Sequence, residues 1–158
     1  MSRQTAWHAC AHACVLLAGM GLASAARAQQ SPGCPQLPAD AGLTWDYRGS
    51  GGTDLCRALR ADGSEAFGLV ISAKPTFEPL RPDRAERSQV DGRDVTWYRA
   101  ELAAKPGVQA RETVIALPDG RSAHLWLQAE DDDKLAAGFR MLQALHFAPT
   151  GPQVAAGQ

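Results

Sequence analysis

From Val90 to Glu130, apolar and polar residues alternate in three runs joined by Asp91-Gly92, Lys105-Pro106-Gly107 and Pro118-Asp119-Gly120. A two-residue period punctuated by Gly, Asp and Pro is the pattern of antiparallel strands linked by turns. It predicts a meander over 90–130 that carries most of the core. In the first run Val95, Trp97, Arg99 and Glu101 share one face, and Thr96, Tyr98, Ala100 and Leu102 share the other. The second run sets Glu112 and Val114 opposite Arg111, Thr113 and Ile115. The third is clearest: Ala123, Leu125, Leu127 and Ala129 form a small apolar face, with His124, Trp126 and Gln128 opposite.

Upstream, Leu43 to Arg48 predicts a strand with Trp45 and Tyr47 on one side, ended by Gly49-Ser50-Gly51-Gly52. That loop lacks the Lys-Ser/Thr ending and the following helix of a phosphate cradle, so it reads as a turn. Leu55, Arg57 and Leu59, then Asp62-Gly63, then Phe67, Leu69 and Ile71 predict a hairpin. Pro75, Pro79 and Pro82 exclude a regular element from Lys74 to Asp83, because proline removes a donor and fixes φ. Pro82 to Arg87 predicts one helical turn. After the meander the period changes. Asp131-Asp132-Asp133 offers an N-cap and a negative first turn, and Leu135, Phe139, Leu142 and Leu145 recur at helical spacing. The pattern therefore predicts an α+β domain over 42–149: an antiparallel sheet of about six strands with a C-terminal helix packed on the Leu125/Leu127 face.

The ends change the picture. Residues 1–28 read as a cleaved secretory signal, with Arg3 before an apolar run and Ala26-Arg27-Ala28 as the small-x-small site. His8, Cys10, His12 and Cys14 have metal-like spacing but belong to that discarded segment. The apolar run is shorter than the about 20 residues of a permanent span, so no stable membrane insertion is expected after cleavage. Residues 29–41 form a Pro-rich arm, and 150–158 a disordered tail. Removing Arg3 and Arg27 from the 16 basic residues leaves 14 against 17 acidic ones. That mild balance argues against a nucleic-acid partner, whose binders gather a basic face.

Cys34 and Cys56 survive processing, and an even pair in an exported chain reads most simply as a disulfide. It would close a ring of 23 residues, counting both cysteines. The alternatives, a redox pair or a metal site, lack CxxC spacing and a neighbouring histidine. No HExxH, Walker, dinucleotide-binding or G-x-S-x-G pattern follows residue 28, and no metal or cofactor is expected. His146 sits where a cation suits the dipole of the helix end. Of the remaining chemistry, Arg99, Glu112 and His124 could meet across strands if they share a face, and Glu101, Glu112 and Glu130 are strand carboxylates that could pair in a hydrolase.

The ending HLWLQAEDDDKLAAGFRMLQALHFAP, strand then helix then a short strand at His146-Phe147, resembles the PsbP/DcrB-like α/β sandwiches, exported or peripheral proteins of similar size. The resemblance covers residues 40–149 and departs from the family in the cysteine pair and the missing lipid anchor. It implies helices on an antiparallel sheet, and proteins that bind or stabilise partners rather than catalyse. The resulting expectation is a periplasmic or secreted protein-interaction module whose partner is another exported protein. Its contact surface is expected at Trp97, Tyr98, Arg99, His124 and Trp126, because aromatic side chains dominate interface energetics. A small-ligand binder is the alternative reading and a small carboxylate/His hydrolase the third.

Overall fold

The computed structural model describes residues 33–147. The expected signal segment, the first residues of the arm and the tail lie outside the described residues. Seven strands and one helix follow in order: β1 (Thr44–Ser50), β2 (Thr53–Leu59), β3 (Glu65–Ser72), β4 (Arg84–Val90), β5 (Arg93–Ala100), β6 (Gln109–Ala116), β7 (Ser122–Ala129) and α1 (Asp132–Gln143). All pairings are antiparallel, in the order β1-β2-β3-β7-β6-β5-β4. Two meanders, β1–β3 and β4–β7, thus join where β3 meets β7.

The α+β class, the meander and the C-terminal helix agree with the pattern. The strand that exceeds the expected six is β4. Only Arg81–Asp83 forms a 3₁₀ turn, and the chain is extended from Arg84, where a helical turn through Arg87 was expected. Pairing with β5 recruits this charged segment into the sheet. Tight turns set the registers. Gly51-Gly52 and Asp91-Gly92 hold φ values of 57°, 80°, 52° and 70°, the doubly positive geometry whose twist suits two-residue hairpins.

The core lies on one face. Cys56, Phe67, Leu69, Leu125, Leu127 and Trp97 point into it and are almost wholly buried. Helix α1 covers the β4–β7 half. Asp131 caps it by accepting from the Lys134 amide at 2.7 Å, and Phe139 meets Trp97 at 5.2 Å between ring centroids. Gly138 lets the helix approach Leu127, since a Cβ there would stand 3.2 Å from Leu127 Cδ1. The arm covers the other half. Cys34 is bonded to Cys56, with Cα atoms 5.9 Å apart, and Trp45 Nε1 donates to the Pro35 carbonyl at 2.9 Å. Past the helix, His146 does not cap it. Ala144 is the cap residue, while His146 bridges to Gln36 in the arm and approaches Asp91 at 3.3 Å. Among the described residues no helix is long and apolar enough to cross a membrane.

Candidate functional site

The opposite face of the sheet carries no helix. A row of polar and aromatic side chains crosses it from strand to strand. At one side, Asp46 on β1 accepts from Arg57 on β2 at 3.1 Å, and Arg57 Nε donates to Glu65 on β3 at 2.7 Å. The Glu65 carboxylate, and after it Asp46, pushes the Arg57 pKa further up, so Arg57 is a fixed cation. The second Glu65 oxygen accepts from Trp126 Nε1 on β7 at 2.8 Å.

Gly68 is the seat for that indole. It pairs with Trp126 in register, and a Cβ at Gly68 would fall 2.3 Å from Trp126 Cζ2. The bare glycine backbone lets the ring lie flat on β3, and the Glu65 bond holds it there. Beside it, the His124 ring packs edge-on to Trp126 at 5.6 Å.

The connector between β3 and β4 passes over this face. Phe77 stacks on the His124 ring at 5.1 Å and 17°, and meets Tyr98 of β5 edge-on at 5.8 Å. Thr76 Oγ1 lies 3.0 Å from His124 Nδ1. On the other side of the ring, Nε2 is 3.4 Å from Glu112 Oε2, within ion-pair distance but not aligned as a hydrogen bond. A hydroxyl, an imidazole and a carboxylate therefore stand in line. The carboxylate–imidazole hydrogen bond that orients a general base is not formed, and Phe77 covers one ring face. What the arrangement provides is an aromatic platform of Phe77, Tyr98 and Trp126 around a mostly buried histidine.

The expected surface residues separate by strand parity. Tyr98, His124 and Trp126 come together, joined by Glu112. Trp97 does not: it is fully buried beneath α1, donating its indole N–H to Ser88 Oγ at 2.8 Å. Side chains one step apart on a strand face opposite ways, so Trp97 cannot share a surface with Tyr98. Arg99 follows Trp97 to the helix side and donates to the Arg84 carbonyl at 2.9 Å. Of Arg99, Glu112 and His124, which would meet only on a shared face, the fold brings together Glu112 and His124 alone.

Thr76, Phe77, Glu65 and Gly68 were not singled out by the pattern. Two of them carry a signal in the sequence, though none that assigns a direction: Gly68 is an isolated glycine inside an apolar strand, which marks a close approach, and Phe77 is a lone phenylalanine between two prolines in a polar connector.

Elsewhere, a shallow cavity of about 350 Å³ lies between the β4 edge and the end of α1, lined by Arg87, Ser88, Gln89, Asp94 and Gln143. Among the described residues, no three His, Cys, Asp or Glu side chains are grouped to hold a metal ion. Compared with known proteins, the chain matches no family model, no curated protein and no solved structure.

Proposed function

We propose that this chain is an exported accessory protein that binds another exported protein through the open face of its sheet. One observation carries this reading: Phe77, Tyr98 and Trp126 gather on the face the helix leaves uncovered. The indole of Trp126 is held in place by Glu65 and by its glycine seat. Rigid aromatic groups with a polar tip contribute most to protein interfaces, because little side-chain entropy is lost when they are covered. The Arg57–Glu65–Asp46 row beside them supplies the polar rim such an interface needs. The signal-like pattern of residues 1–28 and the Cys34–Cys56 disulfide support a periplasmic or secreted location. The resemblance to PsbP/DcrB-like sandwiches supports the same class of role.

The test is affinity capture with the exported chain as bait, beside Tyr98→Ala and Trp126→Ala. The expected result is one specific partner at near-equal amount, with affinity falling about tenfold or more in each variant, as at an interface hot spot. No retained chain, or equal retention by variants that melt normally, overturns the reading. The cavity at the β4 edge favours a second reading, a small polar ligand. Bound mass in native mass spectrometry that is lost on Gln89→Ala is its signature.

A further inference from the structure

A seven-stranded open sheet has two edges, and this chain treats them differently. At β4, the pairing register shifts between Arg84 and Arg87, a bulge that twists the edge. Arg99 donates to the Arg84 backbone carbonyl, occupying an acceptor on that edge strand. Pro82 and the 3₁₀ turn precede it. These are the devices that keep an edge from pairing with another chain.

The β1 edge has none of them. It runs in unbroken register from Thr44 opposite Leu59 to Ser50 opposite Thr53, without proline, lysine or bulge. Tyr47, one of the few exposed large apolar side chains, sits at its midpoint. Its sequence, Thr-Trp-Asp-Tyr-Arg-Gly-Ser, is also complementary to its own reverse. Laid antiparallel on a second copy and centred on Tyr47, it sets Asp46 opposite Arg48 of the second copy, Arg48 opposite Asp46, and Thr44 opposite Ser50. All three are favourable cross-strand pairs. Arg48 has 71% of its side chain exposed, and its only ionic neighbour among the described residues is Asp46 of its own strand at 3.7 Å. Its guanidinium is therefore available to the second copy.

We propose that this chain forms a two-fold dimer by antiparallel pairing of β1 with β1 of a second copy, continuing the sheet across the axis. The proposal rests on this edge; it shares only Asp46 with the partner reading for the Trp126 face, and Arg48→Glu leaves Asp46 in place, so the two readings fail separately. A single pair of seven-residue strands is a small interface, so the dimer is concentration-dependent.

Sedimentation equilibrium of the disulfide-bonded exported chain tests it, with Arg48→Glu and Asp46→Lys as variants. Arg48→Glu puts like charges in register twice, and within its own chain it gives up only the 3.7 Å contact of an exposed guanidinium with Asp46. Its dissociation constant is expected to rise about tenfold or more. Asp46→Lys, which also loses its bond to Arg57, is used only if its melting curve shows a folded chain. The two variants mixed restore both opposite-charge pairs, and the mixture is expected to dimerise about tenfold or more tightly than either variant alone. Wild-type chain that stays monomeric at about 1 mM, or a dimer indifferent to Arg48→Glu, overturns the proposal.

Discussion

At the scale of single residues, the open face depends on a glycine. Within a strand, Gly ordinarily weakens the sheet, and Ala at an unobstructed site would be an improvement. At Gly68 the sign reverses, because the added methyl would meet the Trp126 ring at 2.3 Å. Gly68→Ala is expected to push the indole off its seat and break its hydrogen bond to Glu65, at a cost of about 1–3 kcal/mol. A lower urea midpoint at unchanged slope, with tryptophan emission shifted towards that of solvent, is the outcome to look for. An unshifted emission would mean the ring is not held by this contact. The His124/Trp126 face was legible from strand parity alone. Its cover was not, because Thr76 and Phe77 belong to a proline-rich connector with no period to assign them a direction. Trp97 shows a different limit. Parity separated it from Tyr98, but its set also contained Arg99 and Glu101, so neither face of β5 was cleanly apolar. Only the arrival of α1 over Trp97 settles which face is the core.

At the scale of elements, β4 was the least legible. Among its seven residues, Arg-Ala-Glu-Arg-Ser-Gln-Val, only Val90 and Ala85 are apolar, and an edge strand rich in charge gives no hydrophobic signal. Its place is secured by ionic contact across an intervening strand. Arg111 on β6 reaches over β5 to grip Glu86 with two hydrogen bonds of 2.7 and 2.8 Å. The Arg111 guanidinium holds the Glu86 carboxyl below the ordinary glutamate value of 4.5. A lowered folded pKa means the pair stabilises the fold fully above the unfolded value, and that contribution is lost as pH falls through the folded one. Glu86→Gln should therefore cost about 1–3 kcal/mol at pH 7, less than for a fully buried pair because Glu86 keeps 39% of its side chain exposed. The gap between variant and wild type is expected to hold down to about pH 5 and close below it. Denaturant titrations at four pH values read this directly; a gap that widens in acid would show that Glu86 is not the titrating partner.

At the scale of the whole molecule, local pairings and turns were legible, but the seam between β3 and β7 and the closure of the helix-covered face were not. Both join residues distant in sequence. The closure is a strap. Cys34 ties the arm to β2, Gln36 exchanges backbone hydrogen bonds with His146 at 2.7 and 3.2 Å, and Leu37 and Leu145 are buried beneath that bridge. The two ends of the domain therefore close over the core together, and among the described residues the disulfide is the cross-link that ties this strap to the sheet. Replacing both cysteines in Cys34→Ala/Cys56→Ala is expected to lower global stability by about 3 kcal/mol, the entropy of an open ring of this size. The loss should not be uniform. In the bonded chain the Gln36 and His146 amides are released only when a tethered arm lifts. Without the bond the arm lifts while the sheet stays folded, so these two amides should lose nearly all protection from hydrogen exchange. The Leu125 amide, in the middle of the sheet, should keep whatever protection the remaining global stability allows. Equal losses at Leu125 and at the bridge would mean that arm and sheet unfold as one unit, and that the disulfide acts only on the unfolded chain.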